Sequence, residues 1–330
     1  MAGNTATRTY TIKKRKIPKV GEIVSYTPDT PSTGYDLSAA KSGRSIAQTI
    51  DDKYDPKVWK IMEVDESGNV TKLLGIGSKN VYFQRSTGYN NGVYLLNDIC
   101  KSRYGNASLG ATARSLNIED IESRMNSNGI AARNANKGYN NYSIQYGTTK
   151  TFTGSNAQYP AIYAQEKYSG VDVSDVTAGS QVIAGSVDAT AQAKMNPNGK
   201  SGSDDIYTTL SEKSETTGPS KTNLTCTQTY YYMSSPSSYF DDSNFYNMIF
   251  ETKTDFWLAS RYVNCDSYYS YARFGLRGVY GSNLDSYYLF DSNGNSYSYG
   301  NRLAPVVSLS SGIQVKSGSG TTSDPYVIGK

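Results

Sequence analysis

The residue types that most often carry out chemistry are sparse in this chain. Its 330 residues include no histidine, which removes Ser-His-Asp and Cys-His catalysis, imidazole-ligated zinc and the commonest general base near neutral pH. Cys100, Cys226 and Cys265 are odd in number and lack Cys-x-x-Cys spacing, so neither a zinc cluster nor a disulfide framework is encoded. Asp241 and Asp242 with Asn244 form the one carboxylate cluster that resembles a cation loop, and such a cluster is far more often a solvated turn. No acid, base, nucleophile and oxyanion set can be assembled. The chain reads as a non-enzyme with no cofactor and no metal.

What the chain offers in place of catalytic groups is an aromatic surface. Residues 262–301 are built mostly from Tyr, Ser, Asn, Asp and Gly, with nine tyrosines alternating with small polar residues. Tyrosine brings a large, rigid, amphipathic contact area at the cost of two torsions, while Ser, Gly and Asn bring adaptable hydrogen bonding, which is the composition of recognition loops. The candidate binding residues are Tyr262, Asn264, Asp266, Tyr268, Tyr269, Tyr271, Tyr280, Asn283, Asp285, Tyr287, Asn295, Tyr297 and Tyr299. They are expected on one exposed face, above a core containing Trp257, Phe274, Leu276, Val306 and Leu309.

Charge and hydropathy narrow the partners. Net charge is +4, and the one dense basic run, residues 13–16, lies in an N-terminal arm, so no nucleic-acid partner is expected. No stretch reaches eighteen apolar residues, which argues against membrane insertion. The opening MAGNTATRTYTIKKRK has no apolar core followed by a small-residue cleavage site, so the chain is read as lacking a secretion signal.

The elements that must position this surface divide into four stretches. Residues 1–18 read as an extended basic arm able to dock on a neighbouring subunit, and 19–133 as the N-terminal part of the domain, with two helices. Residues 134–229 read as a loop-rich insertion and 230–330 as the C-terminal part carrying the tyrosine-rich surface. Strand patterns at 59–64 and 70–74 flank the turn cluster Asp65-Glu66-Ser67-Gly68-Asn69, a hairpin signature. One helix is expected to begin at Asn90 or Asn91 and end at Gly105. A second is expected from Asn117, with Asp120 as its capping-box partner and Gly129 as its terminator. Residues 272–279 alternate as a half-buried strand, with Arg273, Gly275 and Arg277 on one side. Asn293-Gly294 is the strongest hairpin turn.

GYNNGVYLLNDIC from Gly88, ARSLNIEDIE from Ala113, YPAIYAQEK from Tyr159 and the FWLASR of residues 256–261 with its closing LAPVVSLSS resemble a group of uncharacterised bacterial and phage proteins. The C-terminal portion further resembles the C-type lectin fold used by the variable proteins of diversity-generating retroelements. That resemblance implies an α+β, C-type lectin-like domain, two helices packed on short antiparallel strands, with the insertion and arm appended. Adenine-directed mutagenesis of AAY codons leaves Asn, Tyr, Ser, Asp, Gly and Cys, the alphabet of 262–301, Cys265 included. Neither the EPN- or QPD-type tripeptide nor the WND-type partner of calcium-dependent lectins occurs, and Cys226 with Cys265 lacks the motif of the formylglycine-generating enzymes. The implied function is a non-catalytic receptor-binding or adhesion protein of a phage virion. It would be made in the bacterial cytoplasm and meet a host-cell surface protein or glycan. Other virion subunits would join through the arm, and self-association is left open. A structural virion subunit without a ligand is the alternative function, and the bacterial cell surface the alternative location.

Overall fold

The computed structural model describes residues 16–29, 34–36, 48–137, 144–145, 147–153, 161–163, 181–183, 223–228, 233–265, 271–291, 295 and 297–330. The first fifteen residues of the arm, most of the insertion, Asn293-Gly294, Asp266, Tyr268 and Tyr269 lie outside them.

In chain order the strands of the two main sheets are β1 (Ile23–Val24), β2 (Trp59–Val64), β3 (Val70–Gly75), β4 (Asn80–Gln84), β5 (Thr112–Ser115), β6 (Met233–Ser234), β7 (Phe256–Cys265), β8 (Ala272–Tyr280), β9 (Asn283–Asp291), β10 (Ser298–Arg302) and β11 (Pro305–Ser308). One sheet runs β1-β2-β3-β11-β5 and the other β6-β9-β8-β7-β10-β4. Every pairing is antiparallel except the short parallel contact of β7 with β10 at Phe256 and Arg302. The β2–β3 hairpin forms where the turn residues place it. Asp65 Oδ1 accepts from the Asn69 backbone N–H at 2.8 Å, and Gly68 takes the positive φ of 74° that the reversal needs.

Four α-helices occur among the described residues: α1 (Arg85–Arg103), α2 (Ile118–Glu122), α3 (Ser127–Asn134) and α4 (Ser243–Phe250). The Asn117–Asp120 capping box is present in both directions, with Asp120 N–H donating to Asn117 Oδ1 at 2.9 Å and Asn117 N–H to Asp120 Oδ2 at 3.0 Å. That helix stops at Glu122. Gly129 lies inside α3, which Asn126 caps, and is buried where an added Cβ would sit 2.8 Å from the Tyr239 carbonyl oxygen. Helix α1 starts five residues earlier than Asn90. Gly88 and Gly92, one turn apart, let its first turns lie against the second sheet, where a Cβ at Gly92 would be 2.3 Å from Leu276 Cδ1. Tertiary contact there overrides the weak helix propensity of a Gly- and Asn-rich start. Asp242, singled out as a carboxylate, caps α4 by accepting from the N–H groups of Asn244 and Phe245.

The C-type lectin-like arrangement is overturned. Among the described residues sheet dominates, at 40 % strand against 20 % helix, and the central strands are long, with ten residues in β7 and nine each in β8 and β9. The cause is a strand buried on both faces. All ten residues of β7 are buried. Phe256 and Leu258 join Ile118, Ile121, Phe245 and Ile249 in one core, while Trp257 and Ala259 join Val93, Leu96 and Ile99 in another. A third core beneath the first sheet gathers Trp59, Ile61, Leu73, Tyr104, Val307 and Tyr326.

Helix α1 is pinned at its end by an ion pair. Arg103, 4 % exposed, donates from Nη2 to both Asp55 carboxylate oxygens at 2.7 and 2.8 Å, and Tyr104 Oη donates to the same group at 2.9 Å. Asp55→Ala leaves a buried guanidinium without its anion. Because the Asp55 side chain is itself 31 % exposed, the expected cost is about 2–3 kcal/mol, below that of a fully enclosed pair. Urea unfolding at neutral pH measures it, and a loss under about 1 kcal/mol would show that the pair does not hold the helix.

Candidate recognition surface

Strands β7 to β10 and the residues that lead into β8 and β10 carry the described candidate tyrosines, but the sheet does not present them on one open face. Tyr262 and Asn264 are 0 % and 1 % exposed, so the expectation that they face solvent is corrected. Both sit on β7, the inner strand. The insertion reaches it too: Ile144 N–H donates to Cys265 O at 3.1 Å, and Gln228 Oε1 accepts from Cys265 N–H. The Tyr262 ring fills the space left by Gly275, where a Cβ would lie 2.4 Å from Tyr262 Cε1 and 2.1 Å from the Tyr287 carbonyl oxygen. The side with Arg273, Gly275 and Arg277 is likewise covered for most of its length, Arg277 being 1 % exposed. Of the expected core, Trp257, Phe274, Leu276 and Val306 are buried, and Leu309 is half-buried against the third core.

The remaining described candidates lie along the β8–β9 pair, whose register runs from Arg273 opposite Asp291 to Tyr280 opposite Asn283, with Tyr287 opposite Leu276 between the ends. Seven residues of extended chain separate the ends by roughly 23 Å. At the turn end, Tyr280 is 56 % exposed, Asn283 Nδ2 donates to the Tyr280 carbonyl at 3.3 Å, and burial pushes the half-buried Asp285 carboxyl up, with Asp255 adding to the effect.

At the other end the rings form a connected cluster. Tyr288 packs edge-on to Tyr297 with centroids 4.7 Å apart and to Tyr299 at 5.7 Å, and Tyr299 continues to Tyr287 at 5.5 Å. Tyr287 is anchored edge-on to Trp257 at 5.1 Å, over Gly278, where a Cβ would be 2.6 Å from its ring. The Arg273 guanidinium lies 5.0 Å from the Tyr288 centroid and 5.5 Å from that of Tyr271, and donates to Tyr271 Oη at 3.1 Å. Asp291, 1 % exposed, accepts from Tyr297 Oη at 3.2 Å. Burial pushes its carboxyl up to about 6, against the pull of Arg273 and of the hydrogen bonds from Tyr297 and Asn295. Asn295 itself is exposed. Three members escaped the sequence reading: Tyr288, Arg273 and Asp291. Tyr288 stood in the tyrosine run, and Arg273 opposite Asp291 becomes visible only once the β8–β9 register is known.

This cluster can stack on apolar or aromatic groups, hold a cation or a planar group against its ring faces, and donate hydrogen bonds. Among the described residues no group of three or more Asp, Glu or Cys side chains converges as metal ligands would. Cys100 and Cys265 are buried, and burial pushes the Cys100 thiol up. No family model, curated protein or solved structure matches the chain.

Gly275→Ala drives a methyl group into the Tyr287 carbonyl and the Tyr262 ring. It is expected to cost about 3 kcal/mol, at the upper end of overpacking costs, and a urea midpoint equal to the parent protein's would contradict the tight approach. For Asp291 the folded-state pKa of about 6 lies above the ordinary 3.8. Its stability contribution is therefore complete below the lower value and is lost as pH rises through the upper one. Asp291→Asn has no proton to lose. Its stability relative to the parent protein should rise by up to about 3 kcal/mol between about pH 3 and about pH 7, and a difference that stays flat across that window would refute the buried-carboxyl assignment.

Proposed function

We propose that the chain is a non-catalytic ligand-binding protein carried on a phage particle, and that the Tyr271–Arg273–Tyr288–Tyr297–Tyr299 cluster is its contact surface for a host-cell surface protein or glycan. The observation that carries this reading is the connected ring cluster with an arginine against two of its tyrosines, at half-buried positions on strands whose inner residues are locked in the core. Tyrosine and arginine are the residues on which binding energy concentrates, each contributing on the order of 2 kcal/mol when truncated. Many copies on one particle would multiply a weak single-site affinity. The composition of 262–301 further supports diversification of the kind produced by retroelement mutagenesis. On this reading variation concentrates at the cluster and at Tyr280 and Asn283 and spares the buried Tyr262 and Asn264.

A structural virion subunit is the second reading. Ile17, directly after the basic run, is 66 % exposed, an aliphatic side chain of the kind that docking on a neighbouring subunit would cover. The two readings separate on whether the ring cluster is open in the assembled particle.

The test is adsorption of the labelled full-length protein to cells of a panel of bacterial species, comparing the parent with Tyr288→Ser/Tyr297→Ser/Tyr299→Ser. Binding should fall at least about tenfold while cooperative unfolding is retained. Undiminished adsorption of a folded triple variant would reject the cluster as the contact surface.

A further inference from the structure

We propose that the chain carries a second binding site, independent of the aromatic cluster: a cationic groove that takes an acidic, aliphatic-bearing peptide segment of a partner protein. Two adjoining cavities of about 530 and 520 Å³ share Ile23, Lys60, Met248 and Thr322 as walls. One opens between the segment entering β1, helix α4 and the C-terminal tail near Gly320. The other continues along β2 and the β3–β4 connection to Arg302 at the end of β10. Each alone has the volume of a ligand site, and together they make a groove long enough for several residues of extended chain.

The charge of the lining selects the ligand. Lys19, Lys57, Lys60 and Arg302 face it, against the single carboxylate of Glu22. Glu22 is already engaged, its Oε2 accepting from Lys19 N–H at 2.6 Å and from Tyr326 Oη at 3.0 Å. Among the described residues none of the four cationic side chains has an ion-pair partner. Elsewhere Arg103, Arg114, Arg124 and Arg133 meet carboxylates. Three unpaired lysines and Arg302, whose charge the Asp255 carboxyl also feels, concentrate anions along the groove.

The rest of the lining separates the classes of anion. Ile23, Val58, Ile76 and Met248 give aliphatic surface, Val58 being 40 % exposed, and no aromatic side chain lines either cavity. Single-stranded nucleic acids stack their bases on aromatic rings, which are missing here. A peptide alternating carboxylates with aliphatic side chains matches the cations and the apolar wall together, and Asn244, Asn247 and Thr322 offer amide and hydroxyl partners for its backbone.

Fluorescence anisotropy of the full-length protein with a labelled peptide of alternating Asp and Val tests this, beside a Ser-Val peptide, a heparin oligosaccharide and an oligothymidylate of similar length. Saturable binding of the Asp-Val peptide is expected, weakening with added salt. Lys57→Glu/Lys60→Glu should weaken it at least about tenfold, and Tyr288→Ser/Tyr297→Ser/Tyr299→Ser should leave it unchanged. Lys57→Gln/Lys60→Gln serves as the milder variant if charge reversal disturbs folding. Absence of saturable binding at millimolar peptide, equal binding by both lysine variants, or stronger binding of heparin or oligothymidylate than of the Asp-Val peptide would each overturn the proposal.

Discussion

The structure depends on β7 being buried on both faces. A strand in that position has no solvent side onto which a misfit can be displaced, so each of its side chains must satisfy a defined neighbour. Its even and odd residues feed different cores, and burying Trp257 alone contributes on the order of 4–6 kcal/mol by area. Its polar atoms then fix which elements lie where. Trp257 Nε1 donates to Val81 O at 2.8 Å, Ser260 Oγ accepts from Ile118 N–H at 2.9 Å, and Arg261 Nε donates to Tyr89 O at 2.8 Å with its guanidinium against the Tyr89 ring. One strand thus positions β4, α2 and α1. Left unmade, any of these bonds would strand a buried polar group.

The tyrosine-rich composition has two physical causes, and they act at different residues. Gly275, Gly278 and Gly300 are partners of rings: Tyr262 and Tyr287 lie over the first two, and Tyr82 over Gly300, where a Cβ would come within 2.4 Å of its ring. Part of the Tyr-Gly interleaving is therefore a packing solution, in which a strand gives up its own side chain so that a neighbouring ring can cross it. The Tyr271, Tyr288, Tyr297 and Tyr299 rings lie at half-buried positions beyond that constraint. There the same residue type is available for contact.

Local signals in the sequence were legible wherever the forces were local. The Asp65–Asn69 turn and the Asn117 capping box each depend on side chains reaching backbone a few residues away, and both stand where the pattern puts them. The start of α1, the place of Gly129 and the burial of Tyr262 and Asn264 were not legible, because each depends on a distant segment: Leu276 under Gly92, Tyr239 beside Gly129, and Gly275 with the insertion residues against the end of β7. Alternation along β8 gave the correct sides for its residues but not their exposure. A period of two says which residues share a face, not whether another layer covers it.

Placing an aromatic cluster at the end of a sheet, with its base in a doubly packed core, has a mechanical consequence for any ligand it would meet. Loop residues can adapt to a ligand, but they lose conformational freedom on binding. Rings held by Trp257, Gly278 and the Arg273–Asp291 register lose little, since folding has already fixed them. Such a surface gains affinity from preorganisation, and it can exchange its outer side chains without moving the backbone that carries them. The limit falls where rings double as core. Tyr287 touches both Trp257 and Tyr299, and Tyr287 and Tyr299 both pack against the core that holds Trp257, so a change at either would alter the contact surface and the packing together, whereas Tyr297 contacts Tyr288 and Asp291. A surface that varies under selection for folding would therefore change first at Tyr297 and last at Tyr287.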